Sequence, residues 1–107
     1  MTWLSRSGSI KVAEYRYSLR GEIDLASAPQ LRADLARAVA SDGARLLIDC
    51  TELTLIDSTA IAVLLEANQK LEADGRRMLI VNVPHGPRRV LETLGLTDLV
   101  SEDGQMR

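Results

Sequence analysis

Arg45-Leu46-Leu47-Ile48-Asp49 is a short apolar run that ends in a carboxylate, and Met78-Leu79-Ile80-Val81 is a second such run. Runs of this length without polar alternation read as strands covered on both faces. Between them lies a segment of helical spacing, with Ile61, Leu64, Leu65, Asn68 and Leu71 recurring on one face. Asp57-Ser58 stands at its start and Gly75 at its end. Residues Cys50 to Ile56 read as the loop that leads from the first strand into this helix. Strand, helix, strand implies parallel pairing through a right-handed crossover, so this stretch sets an α/β fold.

Working outward, the preceding segment is a helix. Ser27 stands three before Gln30 as in a capping box, and Pro29 falls in the first turn. Leu31, Leu35 and Val39 follow at spacings of four, and Gly43 is a stop. Before it, Tyr15, Tyr17 and Leu19 alternate with Arg16 and Ser18, the period of a half-buried strand. Ile10 and Val12 sit in the opposite phase, which a turn or bulge near Ala13 reconciles. This region is expected to join the same sheet and make it mixed, though mostly parallel. Downstream, Pro84, His85, Gly86 and Pro87 read as a loop, and Val90, Leu91 and Leu94 as a third helix closed by Gly95. Leu96, Leu99 and Val100 are expected to pack back on the core. The whole is one domain over residues 1–107, with a core at about 9–100, helices packed on the sheet, and loose ends.

Composition removes several classes of function. The chain has 107 residues, a net charge of −2, and only Trp3, Tyr15 and Tyr17 as aromatics. The core is therefore aliphatic. Arg76-Arg77 and Arg88-Arg89 are the only adjacent basic pairs, too little for a phosphate-binding surface, and stacking platforms for single strands are missing. No nucleic-acid partner is expected. Cys50 is the single cysteine, so no intrachain disulfide forms, which suits a reducing cytoplasm. The longest apolar run, Ala60 to Leu65, is too short to insert in a membrane, and the first residues lack a signal-peptide pattern.

In folds of this kind, ligands meet the loops after the strands' carboxyl ends. Asp24, Asp49 and Asp57-Ser58 are expected to converge there. Asp57 is an N-cap candidate, which leaves Ser58 in the first turn, where N–H groups lack partners and the helix dipole is positive. A phosphoryl group on Ser58 would meet that favourable end and add about 1.5 to 2 negative charges beside Asp57. Asp-Ser before a helix is equally ordinary capping chemistry, and Asp24 can simply cap the turn toward the first helix. Enzyme readings are weak. His85 is the sole histidine and lies in a Pro/Gly loop, and Asp57, as the immediate neighbour of Ser58, is a poor base for it. One His and one Cys do not make a zinc set, so no metal and no cofactor are expected. Cys50 reads as a packing residue. An aspartate-phosphorylated receiver needs a lysine after a late strand, where this chain has Asn82-Val83-Pro84-His85.

The order of three motifs changes the reading. Gly21-Glu22-Ile23-Asp24-Leu25-Ala26-Ser27-Ala28-Pro29-Gln30-Leu31 resembles the opening of STAS domains, and more closely that of bacterial anti-sigma factor antagonists. Leu47-Ile48-Asp49 followed by Ile56-Asp57-Ser58-Thr59-Ala60-Ile61 resembles the family's strand and phosphorylation-site helix. Arg88-Arg89-Val90-Leu91-Glu92-Thr93-Leu94-Gly95-Leu96 is similar to its C-terminal helix. The resemblance implies a non-catalytic STAS-like module that binds an anti-sigma factor serine kinase when unphosphorylated and so frees a sigma factor. The kinase would phosphorylate Ser58, with Thr59 as second candidate, and a PP2C-type, metal-dependent phosphatase would reset it. It also implies a partner surface of Asp24, Asp57, Ser58, Thr59 and Ala60. Ala60 departs from the family's usual glycine, favouring helix by about 0.8–1 kcal/mol while adding a methyl where a partner would approach. That departure motivates the alternative of an unphosphorylated STAS scaffold or ligand-binding accessory subunit of a signalling or transport complex. A hydrolase or small-molecule binder using the carboxylate edge is a third reading.

Overall fold

The computed structural model describes residues 14–95. Six elements alternate: β1 (Glu14–Ile23), α1 (Ala28–Ala40), β2 (Arg45–Ile56), α2 (Ser58–Ala73), β3 (Arg77–Val81) and α3 (His85–Thr93). The strands form one sheet in the order β1-β2-β3, and both pairings are parallel. The α/β single domain is as expected. The strand that carries Tyr15 and Tyr17 joins the sheet as expected but runs parallel to β2, so among the described residues the sheet is wholly parallel and not mixed. Ile10, Val12, Leu96, Leu99 and Val100 lie outside the described residues.

Register explains which side chains enter the core. Tyr15 pairs with Leu46 and Tyr17 with Ile48, while Leu46 and Ile48 pair with Met78 and Ile80. These residues share one sheet face, because side chains alternate along a strand. That face joins Leu31 and Leu35 of α1, Ile61, Leu64 and Leu71 of α2, and Leu91 of α3 in a single apolar cluster. On the other face Leu47 and Val81 are buried outside this cluster. Cys50 is buried in the cluster, and desolvation, with a lesser push from Asp49, drives its thiol up to about 12. It is an inert packing group.

The expected loop from Cys50 to Ile56 is instead the second half of β2. The register slips between Ser18 and Arg20 and again between Gly21 and Glu22, each time giving β2 one extra residue. The two slips bring Cys50, Leu53 and Ile56 onto the core side at a spacing of three. That spacing matches no regular strand, so the apolar pattern hides a strand that the bulges re-phase. Gly21 takes a φ of +68° at the second slip, a conformation that favours glycine. β3 stops at Val81, level with Asp49. Beyond that point β2 packs against α3.

Helix ends also differ from the expected pattern. Ser27 is the N-cap of α1 but makes no side-chain cap bond, and Gln30 donates to Asp34 at 2.8 Å instead of closing a capping box. α3 begins at His85, inside the expected loop, with Pro84 as N-cap and Pro87 in its first turn, where a missing N–H costs nothing. Leu65, expected on the inner face of α2, is 36% exposed.

Arg76 was not singled out by the sequence, yet it ties two helices together. Gly75, with φ +73°, ends α2 in a motif where the Arg76 N–H reaches the Leu71 carbonyl at 2.8 Å and the Gly75 N–H reaches that of Glu72 at 3.0 Å. The Arg76 guanidinium then donates to the carbonyls of Val39 (2.6 Å), Gly43 (2.8 Å) and Ser41 (3.0 Å). A cation thus sits on the carbonyl end of α1, where the dipole is negative. On the far side of α1, the Tyr17 hydroxyl donates to Asp34 Oδ2 at 2.6 Å, and Arg37 donates to Asp34 Oδ1 at 2.6 Å. The Tyr17 bond, then that of Gln30, holds the Asp34 carboxyl below its usual range, while burial and Asp34 raise the Tyr17 phenol.

Two predictions follow from these ties. Replacing Arg76 by Ala should cost about 2–3 kcal/mol, since half-buried carbonyls lose a charged donor, and Arg76→Lys should recover only part of it because an ammonium lacks the fork. Urea unfolding measures both, and an unchanged midpoint for Arg76→Ala would contradict the tie. Tyr17→Phe should cost about 1 kcal/mol at neutral pH, after allowance for the partly exposed carboxylate. Asp34 is depressed in the folded state, so its contribution is present above its ordinary value of 3.8 and lost as pH falls through the lower folded value. Tyr17 is raised, so its contribution is present below its ordinary value of 10.0 and lost as pH climbs past it. The difference between wild type and Tyr17→Phe should therefore be largest between those limits; a difference that does not shrink as the solution is acidified below 3.8 would contradict it.

Candidate functional site

Because β1 and β2 run past β3 together, they deliver their ends to one edge. Ile23 pairs with Ile56, so the next residues, Asp24 and Asp57, leave the sheet side by side. Asp57 has an extended backbone and caps α2 as expected. Its Oδ1 accepts from the Ala60 N–H at 3.0 Å, and its Oδ2 accepts from the Leu25 N–H at 3.1 Å. The Asp57 N–H donates to the Ile23 carbonyl at 3.2 Å, and the Asp57 carbonyl accepts the first helical bond, from Ile61, at 3.0 Å. One residue thus closes the helix start and ties it to the turn after β1.

Asp24 serves that turn. Its Oδ1 accepts from the N–H groups of Ala26 (3.0 Å) and Ser27 (3.2 Å), and its own N–H donates to Ser27 Oγ at 2.9 Å. This is the capping role in the turn toward α1, and it explains why Ser27 does not cap the helix itself: its hydroxyl is engaged backward. The turn lifts Leu25 outward to 71% exposure.

Ser58, the first residue of α2, is exposed, and its hydroxyl has no hydrogen bond among the described residues. Thr59 is half-buried. Ala60 is fully buried in the core cluster. The expectation that its methyl stands in a partner's path is therefore corrected: the methyl faces inward, because the third position of α2 points at the sheet, and Ala60 offers the surface nothing.

Asp49 is corrected too. It lies within β2, not at its end, because the strand continues to Ile56. At about 3.3 Å per residue the stretch to Asp57 spans roughly 20–25 Å. Asp49 accepts from Thr51 Oγ1 (2.6 Å), Thr51 N (3.0 Å) and Asn82 Nδ2 (3.2 Å). These bonds, led by that of the Thr51 hydroxyl, hold its carboxyl below the usual range. It fastens the end of β3 to β2, where Asn82 turns with φ +57°.

Across from Ser58 stand residues of α3 that sequence reasoning did not assign to the site. Ser58, Arg89, Val90, Thr93 and Leu94 line one groove of about 310 Å³. The signal available was the third motif, which held these residues but gave no hint that α3 leans on β2 beside α2. None of these lining residues is a histidine or a carboxylate, so no base faces the Ser58 hydroxyl from the groove. Among the described residues, no group of three or more His, Cys, Asp or Glu is placed to hold a metal ion, and no helix is long and apolar enough to cross a membrane.

Among the described residues, three parallel strands and three helices present an exposed serine at the Asp57-capped start of α2, the arrangement of a STAS-type module, and the chain belongs to the STAS-domain family. The family model described as "Mlab, STAS domain" matches residues 8–101. The anti-sigma-B factor antagonist of Listeria monocytogenes is 30% identical over 80 residues, covering 75% of this chain and 70% of that protein. Unphosphorylated SpoIIAA, an anti-sigma factor antagonist, superposes with a TM-score of 0.76 at 22% identity, over 87% of this chain and 82% of that one. A structure of Bacillus SpoIIAA in its phosphorylated form matches at 0.67, also at 22% identity, over 87% and 85% of the two chains. The STAS domain of a Vibrio cholerae SulP transporter shares the fold at 0.65 and 21% identity, over 90% and 74%.

The double role of Asp57 sets an expectation. Asp57→Ala should cost about 1–2 kcal/mol in chemical denaturation and speed hydrogen exchange at the Leu25 amide. Asp57→Asn, which keeps one carbonyl acceptor, should lose only one of the two side-chain bonds and fall between. Protection at Leu25 that is the same in all three proteins would contradict the bridge.

Proposed function

We propose that this protein is an anti-sigma factor antagonist. Unphosphorylated, it binds an anti-sigma factor serine kinase and so releases a sigma factor; phosphorylation of Ser58 ends that contact, and a PP2C-type phosphatase restores it. The observation that carries this reading is the exposed, unbonded Ser58 hydroxyl at the first position of α2, beside a rigid Asp57. A phosphoryl group there meets the positive end of a 16-residue helix, so the fold accommodates it. Its charge, about −1.5 to −2, falls on the surface, and the effect is on binding. The relatives support the same reading, since the Listeria protein is an anti-sigma-B factor antagonist.

Asp24 and Asp57 act as positioning residues for the partner surface: they shape the turn that raises Leu25 and the helix start that presents Ser58 and Thr59. Thr59, being half-buried, is the lesser acceptor. The protein works in this reading as a binding module and not as an enzyme. The likeness to a transporter STAS domain favours one alternative, a scaffold or accessory subunit that is never phosphorylated. In that case a stable complex forms while a matching kinase transfers nothing.

Ser58→Ala should bind an anti-sigma factor kinase of the same genome as tightly as wild type, and Ser58→Glu should bind at least about tenfold more weakly, equivalent to about 1.4 kcal/mol. Titration calorimetry reads both. Equal affinities for the two variants would contradict a charge switch.

A further inference from the structure

The groove between α2 and α3 pairs an unoccupied hydroxyl with an unoccupied cation. Arg89 is exposed and makes no ion pair among the described residues, whereas its neighbour Arg88 lies 3.9 Å from Glu92. Thr93, on the same wall, already donates its hydroxyl to the Arg89 carbonyl at 2.8 Å. Val90 and Leu94 make the rest of that wall apolar, and Leu94 is 46% exposed. Asp57, the residue before Ser58, does not line this groove and is held by two N–H groups.

We propose that Arg89 receives the phosphoryl group of phosphorylated Ser58, so that the modified side chain closes over the groove and covers Val90 and Leu94. The inference rests on Ser58 being the acceptor. Transfer from ATP forms the Ser58 Oγ–P bond, breaks the bond to the γ-phosphorus, and releases ADP and the Oγ proton. The product's charge is repelled by the fixed Asp57 carboxylate and drawn to Arg89, whose planar fork matches phosphate oxygens. Phosphorylation then does two things at once: it adds charge, and it fills an apolar groove open in the unmodified protein. The switch is a competition between a partner and the protein's own phosphoserine for one wall of α3.

The test needs no kinase. Phosphoserine is placed at position 58 during translation, and its second ionisation is followed by phosphorus NMR. The groups that bear on it are Asp57 and Asp24, which raise it, the N–H groups of α2, which lower it, and Arg89 on α3, with Arg88 and Glu92 beside it. In the otherwise wild-type protein the ionisation should fall below that of Arg89→Gln by about 0.5 unit or more, and the gap should shrink in about 1 M salt, where the screening length is near 3 Å. Arg88→Gln should leave it unchanged. Identical titrations for wild type and Arg89→Gln, or an equal shift in Arg88→Gln, would overturn the proposal. A failure of kinases to modify Ser58 would sink the proposed function while leaving this titration as it is.

Discussion

The Asp57 carboxylate is shared between two backbone N–H groups that lie 35 residues apart in the chain, those of Leu25 and Ala60. Everything at the candidate site depends on this sharing. The Ala60 bond starts α2 one residue after β2 ends. The Leu25 bond brings the turn after β1 against that start. Without the second bond, Asp57 would be an ordinary cap and Leu25 an ordinary loop residue. With it, the ends of two parallel strands become one rigid edge, and Ser58 is presented from it with its hydroxyl uncommitted.

The rest of the architecture keeps that edge open. β3 stops level with Asp49, and α3 packs against β2 instead, which forms the groove facing Ser58. Arg76 and the Tyr17–Asp34 pair fasten α1 from both sides, so the turn that Asp24 organises hangs from a fixed helix. The edge therefore combines a stiff frame with exposed apolar groups, Leu25 and Leu94. In the proposed reading these two are the apolar anchors, set among polar groups, that a partner would cover.

Much of this was legible in the sequence because local rules and tertiary needs agree. The strand runs at 45–49 and 78–81, the helical face from Ile61 to Leu71 apart from the exposed Leu65, and the Asp57 cap read correctly. What was hidden was hidden for physical reasons. The second half of β2 has its inward residues at intervals of three, which only a partner strand with register slips makes intelligible. Ser27 looked like a helix cap because its spacing to Gln30 is right, but its hydroxyl satisfies the Asp24 N–H. Asp49 looked like a strand terminus because the apolar run ends there, although it is β3 and not β2 that stops at that level. Arg76 gave no pattern at all, since its partners are main-chain carbonyls of α1. Ala60 looked like an alteration of the partner surface, yet its methyl lies in the core, so the site's outer face is unchanged by it. The role proposed for Ser58 rests on the order of three motifs, because spacing alone does not separate an acceptor from a cap neighbour.

The central claim is that Ser58 is the acceptor of a reversible phosphoryl switch. Intact mass with site mapping, after incubation with anti-sigma factor kinases of the same genome and Mg-ATP, tests it most directly. The account predicts one added phosphoryl group, located on Ser58 and missing from Ser58→Ala. A folded protein that no such kinase modifies, while a stable complex still forms, would contradict it.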